Sequence, residues 1–323
     1  MTEKIRDFQQ YVPCNLCGSD SYHVVYPALF SPDDDAARLL ERFRDCGGDK
    51  LLDQVVQCIR CGLVYLNPRL RDDVLLQEYT TASIHGYREQ FVAQNHGREK
   101  AFLRNIGPIN AAAPARGKLL DVGAAAGTFM AVARRYGWEV SGCEPNTWFC
   151  QWGHEHYGLQ IDQGTLFDQH YAQESFDLIT LWDVIEHVPD PKRLLTACHA
   201  LLKPQGMLVC TYPDIGSWVA RLMGRRWVFL MSVHLYYFTR TTLRALLQQC
   251  GFAVERVFPY IQILQAGYIL YRMQTHSRIL YWIGKAMCAV TQSWDRMLPY
   301  WVGINCAIAR KCGNHEHMKV FSS

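Results

Sequence analysis

Four cysteines in this sequence are spaced for metal chemistry. Cys14-Asn15-Leu16-Cys17-Gly18 and Cys58-Ile59-Arg60-Cys61-Gly62 repeat one pattern. Each reads as a tight knuckle whose glycine relieves the turn. Two knuckles supply four thiolates, a closed tetrahedral shell for Zn2+. A closed shell has no position for a reacting ligand, so a metal at Cys14, Cys17, Cys58 and Cys61 reads as structural. A redox dithiol is the competing reading, but two matched pairs in one region are better explained by one ion.

A second set of residues is spaced for nucleotide chemistry. Leu119-Leu120-Asp121-Val122-Gly123-Ala124-Ala125-Ala126-Gly127 is an apolar run that ends in an acid and passes into a turn almost without side chains. A ligand can approach such a backbone closely, and the helix that follows offers it free N–H groups. Glu144 ends the next apolar run, and an acid at that tip suits a pair of ribose hydroxyls. Gly123 and Gly127 around Ala125 make a Gly-x-Ala-x-Gly frame, unlike the Gly-x-Gly-x-x-Gly of nicotinamide-type sites. An ordinary βα turn of small residues would share these features.

The elements that must hold these groups follow from pattern. From Lys118 onward, strand and helix signals alternate. Strands are expected near 118–122, 138–143, 176–181 and 206–211, and helices near 127–136, 147–157, 190–202 and 240–250. Phe252–Phe258 and Gly303–Arg310 read as the last two strands. A doubly wound sheet of this kind places ligands at the C-terminal ends of its strands. Short β-type runs flank the cysteine knuckles (Tyr22–Tyr26, Val55–Gln57, Leu63–Leu66), which makes the first 70 residues a zinc ribbon with a charged insertion from Pro32 to Lys50. Residues 71–107 look helical and could cover the cleft from above. Tyr79 and Tyr87 on that segment are candidates to reach an acceptor, although core aromatics are the plainer reading.

Composition bounds the function. The chain has 323 residues, 49% hydrophobic and 20% charged, which suits one large α/β domain plus a small module. A net charge of +3 makes no general case for a nucleic-acid partner. The polar start, Met-Thr-Glu-Lys-Ile-Arg-Asp, does not read as a signal peptide, and no apolar run reaches the ~18 residues of a membrane span. Nine of the 13 cysteines are scattered among apolar residues, as expected of buried thiols in a reducing cytoplasm.

The Asp121 to Gly127 loop resembles motif I of the class I S-adenosylmethionine-dependent methyltransferases. Phe176-Asp177-Leu178-Ile179-Thr180-Leu181-Trp182-Asp183-Val184-Ile185-Glu186-His187-Val188-Pro189-Asp190-Pro191 resembles their fourth strand and its loop. Leu201-Leu202-Lys203-Pro204-Gln205-Gly206-Met207-Leu208 is similar to the turn before their fifth. His234-Leu235-Tyr236-Tyr237-Phe238-Thr239, with Leu243, Leu246, Leu247, Gly251 and Phe252, resembles a bacterial subgroup that couples a cysteine-rich N-terminal ribbon to this domain. The likeness covers nearly the whole chain. Its departure is Ala125, where many members have glycine, which leaves slightly less room at the cofactor.

The resemblance implies a Rossmann-like α/β fold, a seven-stranded sheet with helices on both faces. It implies S-adenosyl-L-methionine as methyl donor. Gly123, Ala125 and Gly127 would line its methionine portion, and Asp121 would orient the loop or receive the amino group. Glu144 would hold the ribose hydroxyls, with Pro145 and Asn146 beside the adenosine. Gly164, Thr165 and Leu166 match the loop bordering adenine, and Trp182 and Asp183 would close the methionine end. His187, beside the cleft, and His234, before the aromatic pair, are the candidate bases for an acceptor hydroxyl. A structural histidine bonded to backbone is the plain alternative for each. Tyr236 and Tyr237, with Arg225 and Arg226 on a lid, are candidate acceptor contacts. Asp183, Glu186 and His187 also resemble the Glu-x-x-Glu-His pattern of the ubiquinone-biosynthesis O-methyltransferases, in which carboxylates can hold a divalent ion.

The expected layout is a ribbon at 1–70, a helical cap and linker at 71–117, and a methyltransferase domain at 118–312 with a lid at 213–238 and a helical insertion at 266–301. A flexible tail fills 313–323. In the insertion, Ile279, Leu280, Ile283, Met287, Val290 and Trp294 fall on one helical face among basic and aromatic residues. Such a helix can dock on a membrane surface. Packing on its own domain or on a second subunit is the reading preferred from sequence. The expected function is methyl transfer to a small molecule, a hydroxyl of a glycan, lipid-linked sugar or secondary metabolite. An RNA methyltransferase gripping RNA with its ribbon and a non-catalytic cofactor-binding module are the alternatives. Localisation is expected to be cytoplasmic, with peripheral contact at the inner face of the membrane as the variant that residues 268–301 allow.

Overall fold

The computed structural model describes residues 4–36, 51–81, 85–270 and 278–313, leaving aside the side chains at 78–81, 85–87, 90 and 278–280. Tyr79, Tyr87, most of the Pro32–Lys50 insertion and the tail beyond 313 are therefore outside the described residues or side chains.

The N-terminal strands are β1 (Tyr22–Tyr26), β2 (Val55–Cys58) and β3 (Val64–Leu66). After them come β4 (Lys118–Val122), β5 (Glu139–Glu144), β6 (Asp162–Gln163), β7 (Phe176–Leu181), β8 (Leu202–Pro213), β9 (Tyr236–Tyr237), β10 (Phe252–Pro259), β11 (Gln262–Gln265), β12 (Met297–Tyr300) and β13 (Ile304–Lys311). The helices are α1 (Asp72–Thr81), α2 (His85–Ala112), α3 (Thr128–Arg135), α4 (Thr147–Tyr157), α5 (Pro191–Leu201), α6 (Trp218–Met223), α7 (Arg240–Gln249) and α8 (Arg278–Thr291). The expected helix and strand positions agree with these to within a few residues, except that β8 is longer.

Seven strands form one sheet in the order β10-β13-β8-β7-β4-β5-β6. The pairs β8–β7, β7–β4, β4–β5 and β5–β6 are parallel, whereas β13 runs antiparallel to both β8 and β10. Chain order reverses at β4, where β5 and β6 lie on one side and β7 and β8 on the other. The loop that leaves β4 therefore opens at the switch point, the place where such sheets bind ligands. The inner strands read as unbroken apolar runs because helices cover both faces. Leu119, Leu120, Leu178, Ile179 and Leu208 are fully buried, each stabilising the fold by about 1.5–3 kcal/mol.

A second sheet has the order β9-β3-β2-β1. Its first three strands are the expected ribbon. The fourth comes from the expected lid: Tyr236 pairs with Tyr65 and Tyr237 with Val64, antiparallel. The ribbon sheet is thus not complete within residues 1–70. One apolar core runs through both sheets, joining Val55, Tyr65, Tyr237, Tyr212 and Leu181.

Helix α2 packs against α3 and the core of the large sheet and is clamped to β11. A Cβ on Gly97 would run into the Ile263 carbonyl, and Asn105 Nδ2 donates to the Ile261 carbonyl (2.9 Å). Strands β11 and β12 form an antiparallel hairpin, and α8 lies in the excursion between them. Helix α8 packs on its own chain along one seam. The helix buries Cys288 against Ala266 and Leu270, with Gly284 in close contact with Leu270. Its apolar stripe points outward: Ile283, Met287, Val290 and Trp294 are exposed, together with Trp282. Among the described residues no helix is long and apolar enough to cross a membrane.

Candidate cofactor cleft and acceptor site

The loop after β4 turns tightly. Gly123, Ala125 and Gly127 all have positive φ, at 69°, 45° and 72°, and the last caps α3. Ala125 bears a cost of roughly 1 kcal/mol that glycine would not. The N–H groups of Gly123 and Ala124 both donate to the Cys143 carbonyl, which ties the loop to β5. Space around it is tight as well. A Cβ on Gly123 would lie 2.7 Å from Val184, and one on Gly153 would lie 2.7 Å from the Ala126 carbonyl.

Glu144 sits at the end of β5 with 8% exposure. One of its oxygens accepts from the Ala125 N–H (3.0 Å) and the other from the Asn146 N–H (2.9 Å). Burial pushes its carboxyl up to about 7. Asp121 is almost fully buried, accepts from Thr180 Oγ1 at 2.6 Å, and is raised to about 7, first by burial and then by the Glu144 charge. Each Glu144 oxygen accepts one backbone proton in this structure, and a carboxylate oxygen can accept more than one. The geometry fits a vicinal diol held at the strand tip beside a close-approach loop.

The other expected cofactor residues have these contacts. Pro145 is half-buried. Asn146 caps α4, its Oδ1 accepting from the N–H groups of Trp148 and Phe149. The Gly164 N–H donates to the Glu144 carbonyl, Thr165 caps a short turn through Asp168, and Leu166 belongs to the core. Trp182 packs against Phe102, Phe129 and Tyr260, with ring centroids 4.7–5.6 Å away. Its buried indole N–H has no hydrogen-bond partner among the described residues. Asp183 has φ +54° and is locked by Thr211, whose hydroxyl donates to Oδ1 (2.9 Å) and accepts from the Asp183 N–H (2.8 Å).

His187 and His234 come together. Their ring centroids are 4.6 Å apart, edge to face. The Nδ1 atoms contact the carbonyls of Val233 (2.9 Å) and Phe229 (2.8 Å), which favours the tautomer with its proton there and the lone pair on Nε2. Burial holds both rings below the usual histidine range, and the two act against each other at His234. Glu186 is buried beside them; a ligand atom from each of the three lies within 4.8 Å of the others. Its Oε2 has no partner among the described residues, and burial followed by the Asp183 charge raises its carboxyl well above the usual range. Burial favours the neutral form of both imidazoles and of the Glu186 carboxyl, and a neutral imidazole can accept a proton.

The residues expected to contact an acceptor make other contacts in this structure. Tyr236 and Tyr237 are buried, and their hydroxyls donate to the carbonyls of Pro189 (2.9 Å) and Met231 (2.8 Å). They join the ribbon to the large domain. Arg225 is exposed and spends its guanidinium on the ribbon, donating to the Pro27 carbonyl (3.1 Å) and lying over Tyr26. Arg226 is exposed next to it.

Sequence reasoning missed four supports. Thr180 and Thr211 fix the two acids of the cleft; a threonine inside a buried apolar strand was their signal. On α2, Asn95 accepts from Thr128 at the start of α3 and donates to Tyr157, both at 2.6 Å. Arg98, over the Phe91 ring, brings a cation toward Tyr260.

The four thiols of Cys14, Cys17, Cys58 and Cys61 converge, with Sγ···Sγ distances of 3.4 Å (14–61) and 3.5 Å (17–58). Tetrahedral zinc bound at ~2.3 Å needs sulfurs about 3.8 Å apart. The knuckles match each other: the Gly18 N–H donates to the Cys14 carbonyl (2.8 Å) and the Gly62 N–H to the Cys58 carbonyl (2.9 Å). Both glycines have positive φ, near 70–80°. The four-thiol donor set, its convergence and the matched knuckles are compatible with Zn2+, for which the sulfurs would move apart by a few tenths of an ångström.

A family model described as a methyltransferase domain matches residues 94–257. A ubiquinone biosynthesis O-methyltransferase of Cereibacter sphaeroides is 34% identical over 128 residues, 37% of this chain and 52% of that protein. The protein of that name from Pasteurella multocida is 30% identical over 131 residues, 35% of this chain and 54% of that one. The chain therefore spans about half the length of the curated relatives it matches. The crystal structure of a SAM-dependent methyltransferase from Archaeoglobus fulgidus is 14% identical, with a TM-score of 0.47 over 69% of this chain and 99% of that one.

Proposed function

The chain belongs to the class I S-adenosylmethionine-dependent methyltransferases, and from that premise we propose that it methylates a hydroxyl of a small, lipid-linked acceptor. The observation that carries the reading is the pairing of His187 with His234 beside the strand ends. A hydroxyl acceptor must lose a proton, and two neutral imidazoles held by backbone carbonyls are suited to take it. That the matched relatives are named O-methyltransferases agrees with this.

In this reading Glu144 accepts from the two ribose hydroxyls of the donor. Gly123, Ala125 and Gly127 let the methionine portion approach, and Asp121, held by Thr180, fixes the loop. Pro145, Gly164, Thr165 and Leu166 border the adenosine, with Asn146 holding α4 in position. Trp182 offers its indole N–H at the methionine end, and Arg98 faces a carboxylate there. The donor supplies an already activated methyl group, so the protein's work is alignment and proton removal. Buried Glu186 keeps the histidine pair in a dry setting. The four cysteines hold a structural zinc.

The ribbon spends one edge on Tyr236–Tyr237, gives the Pro27 carbonyl to Arg225 and sends Arg69 to the Pro189 carbonyl, which suits the task of holding the lid. This lends little support to an RNA grip. We place the protein at the cytoplasmic side of a membrane, where a lipid-linked acceptor would be met. Calorimetry with S-adenosylmethionine, followed by transfer of labelled methyl to candidate hydroxyl acceptors, tests the reading. Absence of donor binding to the wild type would sink it, and binding without transfer to any hydroxyl would return it to a binding module.

A further inference from the structure

Helix α8 exposes apolar side chains over one face. Val290 is 86% exposed, Met287 63%, Trp282 59% and Ile283 53%. On a helical wheel these residues span the side opposite Gly284 and Cys288, which meet Leu270 and Ala266. The helix is thus anchored along a narrow seam and leaves its wider apolar face without cover among the described residues. A contiguous patch of this kind marks an interaction surface.

Charge chooses the partner. No acidic residue occurs between Glu255 and Asp295, whereas Arg256, Arg272, Arg278 and Lys285 all lie in that interval. Lys285 stands at the rim of the apolar arc, its Nζ 4.8 Å from the centre of the Trp282 ring and 5.8 Å from that of Tyr281. A lysine whose stem follows an aromatic flank can keep its ammonium at the level of lipid head groups. Trp282 is the residue type that settles at such a boundary. A second copy of this chain would fit less well. A two-fold interface sets the same patch against itself, so Lys285 would meet its own like charge with no acid from this segment to offset it.

We infer that α8 docks on an anionic lipid surface, inserting Trp282, Ile283, Met287 and Val290 in the plane of the head groups. This deepens the lipid-linked acceptor reading above, and the two fail separately. The test is flotation of the full-length protein with vesicles of phosphatidylcholine alone or with roughly one third phosphatidylglycerol. The wild type floats with the anionic vesicles and is released by high salt. The double variant Met287→Glu/Val290→Glu loses roughly tenfold or more of its bound fraction, and Lys285→Glu weakens binding on anionic vesicles more than on neutral ones. Both variants keep wild-type donor affinity by calorimetry, because α8 contributes nothing to the cleft. No flotation on anionic vesicles, or equal flotation of the double variant, overturns the inference. So does sedimentation showing a dimer that the double variant splits while neither form binds lipid. Flotation of a wild type that fails to bind donor would leave the docking standing and remove the methyltransferase reading.

Discussion

His187 and His234 meet edge to face at 4.6 Å although 46 residues separate them. Each ring is held at Nδ1 by a carbonyl from the segment that carries His234. That segment is in turn fixed to the first histidine's loop, because the N–H groups of Leu235 and Tyr236 both donate to the Glu186 carbonyl (2.8 and 3.2 Å). The pair is therefore one unit, set by backbone on both sides.

If one of these rings is the base, replacing it lowers kcat/KM by about 10²- to 10⁴-fold. His187→Ala and His234→Ala separate the base from its neighbour: the base shows the larger loss and its loss falls mainly on kcat. Both rings stay neutral at pH 7 because burial lowers their pKa. The wild-type rate should thus be flat down to pH 7 and fall only below the ordinary histidine range. Near wild-type activity in both variants would exclude the pair as the source of the base.

The large sheet was legible because parallel strands covered on both faces are written as apolar runs, as in Leu119–Val122 and Phe176–Leu181. The knuckles were legible because thiolate spacing is local. What pattern could not supply was direction and long-range pairing. The stripe on α8 has the right period, but periodicity identifies a face without saying whether protein covers it. Tyr236–Tyr237 is too short to read as a strand, and its partner lies some 170 residues earlier. Helix α2 carries Asn95 and Arg98 on a surface with little apolar contrast, so nothing marked them as supports of the cleft.

If Glu144 holds the ribose of the donor, donor affinity depends on pH. Its folded carboxyl is raised to about 7 from an ordinary value near 4.5. The folded state then holds a proton that the unfolded chain has released. Stability from this group is full below pH 4.5 and is lost as pH rises through 7, and Asp121 and Asp53, also raised to about 7 by burial, act in the same direction. A diol donates best to the ionised carboxylate, so donor affinity should rise by roughly tenfold between pH 6 and pH 8. Calorimetry at the two pH values checks this. Glu144→Gln should weaken binding by about 10- to 100-fold and flatten the pH dependence.

Arg69 pins the ribbon to the loop that carries the histidine unit. It is 4% exposed and donates to the Tyr236 hydroxyl (3.1 Å), the Pro189 carbonyl (3.0 Å) and Asp72 (3.2 Å). Removing it strands buried acceptors, so Arg69→Ala should cost about 2–3 kcal/mol in chemical denaturation. Arg69→Lys should recover only part, since one ammonium cannot span three acceptors in a fixed fork. A cost within about 0.5 kcal/mol for the alanine variant would mean the joint does not depend on this residue.

Zinc removal should be felt at the histidines as well as in the ribbon. Strand β3 follows Cys61 by three residues, and its Tyr65 and Val64 hold Tyr236 and Tyr237 in register. The Leu66 N–H donates to the Leu235 carbonyl (2.9 Å), and Leu235 and Tyr236 hold the Glu186 carbonyl. Loss of a four-thiolate ion frees both knuckles and with them the start of β3. The expected result is about one zinc per chain by metal analysis, and after chelation faster hydrogen exchange at the amides of Leu66, Leu235 and Tyr236. The amides of Gly123 and Ala124, bonded to Cys143, should keep their protection because they belong to the other sheet. Exchange confined to the knuckles would show that the ribbon does not position the His187–His234 unit, even if the zinc itself were confirmed.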